Sequence, residues 1–159
     1  MEYQNEYQFI FRTAIPLESA RLALSRLLGI EVSHIREYAA ASMDDSEATL
    51  YYEHEVQAEG WKLFLTIHMI TRYWEKYLYK NSILDLGAAL AKALSSDLII
   101  AAYDPYPPGS NTSDWLLVTP DGAFYRVQEK YPDEDVFDID PIPPAPLSVQ
   151  EVMALKRTC

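Results

Sequence analysis

Two closely spaced glutamates and three histidines are the residues whose types could support catalysis or metal binding. Glu53 and Glu55 stand two positions apart in a run of β-forming residues. In a strand they point to one side about 7 Å from each other, a separation within the range that glycoside hydrolases use. Catalytic carboxylate pairs normally come from different elements that line a deep cleft, whereas these two glutamates lie on one strand. We therefore interpret both glutamates as part of a solvated sheet face.

The histidines are positioned by a predicted hairpin. Residues 50–56 and 61–69 are both β-rich, and Gly60 between them suits a tight turn because glycine accepts a positive φ. A two-residue turn fixes the register, and alternation then sends the side chains of His54 and His68 to opposite faces of the sheet.

The same register assigns each histidine an environment. His54 lies opposite Leu65 on the apolar face, and His68 lies opposite Tyr51 on the polar face. We expect His54 to be a core residue and His68 a surface residue, so the two imidazoles cannot share a metal.

Other signatures of chemistry are absent from the sequence. The one cysteine is Cys159, so neither an intramolecular disulfide nor a thiolate metal cluster can form within the chain. The five glycines include no G-x-G pattern, and no catalytic triad or zinc-ligand spacing occurs. We expect a protein that is not an enzyme and that uses no cofactor and no metal.

Charge narrows the classes of partner. The 159 residues include 13 Lys+Arg and 24 Asp+Glu, a formal net charge of -11. This balance argues against nucleic acid and against anionic membranes as partners, because both attract clustered Lys and Arg. The first residues lack the basic and apolar regions of a signal peptide, and no apolar run approaches the length of a spanning helix. We expect a cytoplasmic protein.

Acidic residues concentrate toward the C-terminal end. Between residues 129 and 140, carboxylates are interleaved with aromatic and aliphatic side chains, against the single cation Lys130. Carboxylates steer the encounter with a basic protein, and buried aromatic side chains supply much of the binding energy. The residues of this stretch that we predict to bind a partner are Tyr131, Asp133, Glu134, Asp135, Phe137, Asp138 and Asp140.

Tyrosines add a second group of candidates. The chain has 12 tyrosines, a residue type that is enriched at interfaces because it offers a large contact area and a polar tip. Tyr103 and Tyr106 lie at the loop of residues 104–113, which follows an apolar strand. We include both among the predicted partner-binding residues.

Hydrophobic periodicity predicts the first elements of the fold. Residues 3–15 favour a strand, and Pro16 then opens a helix that ends at Gly29. Residues 31–46 fit either a helix or a strand, and we favour a strand that turns at 44–46.

A second helix and further strands follow. Ser82 and Asp85 match a capping box at the helix start, after a helical region at 73–80. Residues 97–103 indicate a central strand, and 115–127 a second hairpin. We expect an α+β fold: a largely antiparallel sheet of about six strands, in the order β-α-β-β-β-α-β-β-β, with two main helices on one face and a short C-terminal helix.

Composition divides the chain in two. We assign residues 1–140 to a single α+β domain and residues 141–159 to a proline-rich connector with the short C-terminal helix. Ser148 and Glu151 match a capping box at the start of that helix. A helix of about nine residues is too short to be stable alone in water. It must therefore dock on its own domain, which we favour, or on a partner.

Three segments within residues 83–128 carry a resemblance to a known family. They are Leu-Gly-Ala-Ala-Leu-Ala at 86–91, Asp-Leu-Ile-Ile at 97–100 and Trp-Leu-Leu-Val-Thr-Pro-Asp-Gly at 115–122. In a small, acidic α+β chain, these segments resemble the immunity proteins of bacterial polymorphic toxin systems.

This resemblance implies tight, specific binding to one cognate toxin domain, often through an acidic surface that covers a basic active site. We expect a non-enzymatic inhibitor that is a monomer or a weak homodimer. The alternative is a cytoplasmic adaptor or assembly protein with an acidic docking tail.

Overall fold

The computed structural model describes residues 4–38, 49–70, 75–76, 82–101 and 114–156. Seven strands and three α-helices of eight or more residues lie within these ranges. In chain order they are β1 (Gln4–Phe11), α1 (Leu17–Leu28), a 3-10 helix (Val32–His34), β2 (Ile35–Glu37), β3 (Leu50–Val56), β4 (Leu63–Ile70), α2 (Ile83–Leu94), β5 (Leu98–Ala101), β6 (Asp114–Val118), β7 (Phe124–Gln128) and α3 (Val149–Lys156).

The predicted α+β architecture is confirmed, with seven strands in place of about six. Within residues 31–46, the described part, residues 31–38, contains the 3-10 helix and the short strand β2, and residues 39–46 lie outside the described residues. So do the predicted turn at 44–46, the predicted loop at 104–113, and the helical region at 73–80 except for residues 75–76.

One sheet contains all seven strands in the order β2-β3-β4-β1-β5-β6-β7. The first strand is therefore central, antiparallel to β4 on one side and to β5 on the other. The short edge strand β2 runs parallel to β3, and the remaining neighbours are antiparallel. A central N-terminal strand matters for the site, because it brings residues 6–10 beside the hairpin of β3 and β4.

Both main helices end and begin where the local sequence signals place them. Helix α1 follows Pro16 and stops at Gly29, whose φ of 67° is the left-handed conformation that favours glycine. Helix α2 starts at a complete capping box, in which Ser82 and Asp85 satisfy each other's backbone N–H groups.

The first core lies between these helices and one face of the sheet, which we call the helix face. Alternate residues of the central strands, such as Phe9, Phe11 and Leu65, are buried there with Leu24 of α1 and Leu90 of α2. Burial of aromatic and aliphatic side chains of this size stabilises the fold by about 1.5–3 kcal/mol each.

The opposite side of the sheet, the second face, is covered over part of its area by residues 129–140, which we call the acidic segment. Beyond β7 this segment returns alongside the chain, with the N–H of Lys130 donating to the carbonyl of Asp138 at 2.8 Å. Phe137 and Ile139 then pack on Ile10, Ile99 and other apolar residues of the sheet. This covered half of the second face is a second, smaller core.

The C-terminal helix docks on its own domain. Leu147 donates its N–H to the carbonyl of Phe124 at the edge strand β7, at 2.8 Å. Leu155 is buried in the core of the helix face, and the Lys156 ammonium contacts the Asp85 carboxylate at 2.7 Å. Since the acidic segment lies on the second face, the C-terminal chain passes the β7 edge and packs on both sides of the sheet.

Candidate functional site

Polar side chains occupy the rest of the second face. The strand register sets them in rows across β1, β4 and β3: Glu6, His68 and Tyr51 form one row, Gln8, Thr66 and Glu53 the next, and Ile10, Phe64 and Glu55 the third. We call the part of this face formed by Glu6, Gln8, Glu53, Glu55, Thr66 and His68 the polar half.

His68 is the buried centre of the first row. Its Nε2 lies 2.7 Å from Oε2 of Glu53, and its Nδ1 lies 3.9 Å from Oε2 of Glu6. The ring of Tyr38 covers it at a centroid distance of 5.0 Å, and the residue is 7% exposed. Because both ring nitrogens face carboxylates from neighbouring strands, the imidazole ties three strands together.

The predicted environments of the two histidines were wrong, although the predicted register is confirmed. His54 pairs with Leu65 and His68 with Tyr51, on opposite faces as expected. His54 is nevertheless exposed, as are the other residues of β3 from Glu53 onward, and its Nδ1 lies 3.7 Å from Oε1 of Glu37. His68 is buried because β1 and Tyr38 enclose it, and neither neighbour is visible in the hairpin sequence.

A shallow depression of about 240 Å³ opens on the polar half. Thr66 lies at its centre, between Glu53 of β3 and Gln8 of β1, and Glu55 and Phe64 form the adjoining row. The Gln8 amide donates to the Thr66 hydroxyl at 3.4 Å. These residues come from three strands, so the shape of the depression is set by the sheet itself.

The side chains that carry a full charge in this depression are acidic. Its lining includes the carboxylates of Glu53 and Glu55 and no Lys or Arg. Glu53 already bonds to His68, whereas Glu55 is exposed and has no ion pair among the described residues. The expectation that both glutamates share a face is confirmed by their pairing with Thr66 and Phe64, which point to the same side.

The predicted partner-binding residues of the acidic segment fall into exposed and buried sets. Asp133, Glu134 and Asp135 are exposed and have no ion-pair partner among the described residues. Tyr131 is 36% exposed, with the Lys130 ammonium 5.3 Å from its ring centroid.

Two further acids of the segment differ in their surroundings. Asp140 is exposed, while Asp138 is half-buried and accepts the N–H of Ile139 at 2.8 Å. Partner binding by the exposed residues of the segment stays a prediction. Tyr103 and Tyr106 lie outside the described residues.

Phe137 requires a correction. It was expected to offer its ring to a partner, but it is 8% exposed and sits edge-on to Trp61, Phe64 and Trp115 at centroid distances of 5.5–6.0 Å. The alternating pattern Phe-Asp-Ile-Asp at 137–140 is typical of a half-buried strand and would have indicated this burial.

Sequence reasoning missed the sheet positions Glu6, Gln8, Phe64 and Thr66. Alternation along each strand was visible, but their convergence depends on β1 pairing with β4, which no local pattern encodes. Among the described residues, no group of three or more His, Cys, Asp and Glu is arranged to hold a metal ion.

Comparisons with known proteins identify no relative of this chain: no family model, no curated protein and no solved structure matches it. In the part of the chain that the structure describes, no helix is long and apolar enough to cross a membrane.

Proposed function

We propose that this chain is a non-enzymatic immunity-type inhibitor that binds and blocks a basic protein toxin domain. The observation that supports this proposal best is the group of exposed carboxylates on the second face. Glu6, Glu53 and Glu55 are exposed on the second face. The acidic segment, which carries exposed carboxylates of its own, lies on the same side of the sheet.

Three cations of the described residues, Lys62, Arg12 and Lys130, contact groups other than these carboxylates. Lys62 directs its ammonium to the carbonyl of Ala58 at 2.8 Å, and Arg12 forms its ion pair with Asp97 at 2.7 Å. Lys130 lies against Tyr131. A surface of this kind attracts a basic protein at long range and orients it on encounter.

The mechanism that follows is steric and electrostatic inhibition. A toxin whose active site binds an anionic substrate presents Lys and Arg around that site, and a rigid acidic surface competes for the same groups. The rigidity comes from the two cores, which fix the sheet from both sides. No bond is made or broken in this role, so no catalytic residue is required.

Co-expression tests this function. The gene beside that of an immunity protein encodes its toxin, so we expect the product of the neighbouring gene to be basic and to arrest growth when expressed alone. Co-expression of this chain should restore growth and yield a stoichiometric complex on purification. Relief should weaken when Asp133 and Asp135 are both changed to Lys, because those substitutions oppose the steering field.

The matched control reverses two acids on the far side of the molecule. Glu18 lies in the first turn of α1, and Glu31 directly precedes the 3-10 helix. The double variant Glu18→Lys, Glu31→Lys changes the net charge by the same amount as the reversal of Asp133 and Asp135. This control should retain full protection. A neighbouring product that is harmless, or toxicity that co-expression does not relieve, contradicts the proposal. A complex that forms without relieving toxicity favours the adaptor function instead.

A further inference from the structure

The depression on the polar half combines three properties in one place: carboxylates, an aromatic wall and hydrogen-bond acceptors. Glu55 is exposed without an ion pair among the described residues, and it lies directly across from Phe64. One row further, Thr66 and the amide of Gln8 add polar atoms. The depression adjoins the second core at Phe64, which lines the depression and also packs against Phe137.

We propose that this depression is a socket for an arginine side chain of a basic protein partner. This inference rests on the proposed function, because it takes a basic protein as the partner. It adds the specific contact through which that partner would be anchored. Charge complementarity selects a cation, since two carboxylates and no Lys or Arg line the depression. An anionic ligand would meet repulsion on entry.

Arginine fits the lining better than lysine. A guanidinium carries five N–H donors in a planar fork, which can engage a carboxylate in two parallel bonds and still donate to a neighbouring oxygen. Glu55 offers the carboxylate, and the oxygen of the Gln8 amide and the second oxygen of Glu53 are further acceptors. The planar group can also lie against the ring of Phe64, and ammonium makes this contact less well.

Two features prepare the socket before a partner arrives. Glu53 is held by its bond to His68, which is buried and enclosed by Tyr38. The ring of Phe64 is held edge-on by Phe137 at a centroid distance of 6.0 Å. Both walls are therefore ordered in the free protein, which reduces the conformational entropy lost on binding. The acidic segment thus contributes to this surface indirectly, by fixing Phe64.

The test is a titration of the ¹⁵N-labelled full chain with N-acetyl tri-arginine amide at low salt, followed by amide chemical shifts. We expect saturable shifts that concentrate at residues 8, 53–55 and 64–66. Tri-lysine of the same charge should bind more weakly. Glu55→Gln should weaken tri-arginine binding by about fivefold, the loss expected for one partly exposed charged hydrogen bond.

Glu59→Gln is the matched control. Glu59 is an exposed acid in the turn of the same hairpin, outside the depression, so the variant makes the same change in charge. It should bind tri-arginine with an affinity close to that of the unmodified chain.

Three results would overturn the socket: equal losses in the two variants, equal binding of tri-arginine and tri-lysine, or shifts that centre on residues 133–135. The titration uses no toxin. If tri-arginine binds specifically but co-expression does not restore growth, the inhibitor function alone is rejected. If co-expression restores growth but tri-arginine does not bind at the depression, the socket alone is rejected.

Discussion

The covered and polar halves of the second face meet at the central strand β1, and their side chains have different surroundings. In the covered half, Phe137 and Ile139 bury the apolar side chains of β1, β5, β6 and β7. In the polar half, β1 and β3 present carboxylates and β4 contributes Thr66 and His68; of the six residues that define this half, His68 is the buried one. If the polar half recognises a partner as proposed, substitutions in the covered half should change stability and substitutions in the polar half should change binding.

The largest effect on stability is expected from Phe137→Ala. The ring of Phe137 contacts three other aromatic residues and is 8% exposed. Its removal leaves a cavity, and we expect the free energy of unfolding in urea to fall by about 3–5 kcal/mol. Tyr131→Ala, in the same segment but partly exposed, should cost far less. A loss below about 1 kcal/mol for Phe137→Ala would show that the covered half is not a core.

Substitutions at two glycines test how closely the acidic segment packs against the hairpin of β3 and β4. Gly60 has a φ of +71°, and a Cβ placed on it would lie 2.3 Å from the carbonyl oxygen of Phe137. Gly122 has a φ of +87° with nothing within 4 Å of such a Cβ. We expect Gly60→Ala to cost about 3 kcal/mol from strain plus displacement of the segment, and Gly122→Ala about 1 kcal/mol from strain alone. Equal losses would mean that the segment moves aside freely.

The fold was predictable where its signals are local. The turn at Gly60 sets the whole register of β3 and β4, and the caps at Gly29 and Ser82 set the ends of two helices. Each depends on residues that are close in sequence.

The two halves of the second face were not predictable in the same way. The burial of His68 depends on β1 and Tyr38, which are distant in sequence from β4. The burial of Phe137 depends on the acidic segment turning back onto Trp61. The backbone N–H of Trp61 donates to the backbone carbonyl of Phe137 at 2.9 Å. The acidic and proline-rich composition around Phe137 indicated an exposed tail, and long-range apolar contact prevailed over that composition.

In the polar half, His68→Leu should change stability much less than Phe137→Ala. The substitution removes the bond to Glu53, but Glu53 is half-exposed and returns to water when it loses its partner. We expect the free energy of unfolding to fall by no more than about 1 kcal/mol, measured by urea titration. A loss as large as that of Phe137→Ala would make the polar half a structural element and remove the distinction between the halves.

The smallest expected effect is the dependence of stability on acidic pH. It distinguishes the ion pair of Asp85 with Lys156 from the apolar contacts of Phe137. Burial alone would raise the pKa of Asp85, but hydrogen bonds from Lys156 and Ser82 outweigh it and hold the pKa below the ordinary value of 3.8. A carboxyl with a lowered folded-state pKa adds stability that is complete above that ordinary value and is lost as the pH falls through the folded-state pKa.

We therefore expect Asp85→Asn to lower the free energy of unfolding at pH 7 by about 0.5 kcal/mol, since the ion pair to Lys156 is partly exposed. The difference between variant and unmodified chain should shrink as the pH is lowered below 4. Phe137→Ala should show no such pH dependence in its loss, because its contacts are apolar. A difference for Asp85→Asn that stays constant with pH would contradict the assigned contact.

The central claim is that the polar half recognises a basic protein and contributes little to stability. Its most direct test compares Glu55→Lys with Glu59→Lys, both measured for thermal unfolding and for the dissociation constant with the basic product of the neighbouring gene. We expect nearly unchanged melting temperatures for both variants, and a dissociation constant raised at least about tenfold for Glu55→Lys only, because a like charge then occupies the socket. Equal dissociation constants for the two variants, or a loss of binding that follows a loss of stability, would contradict it.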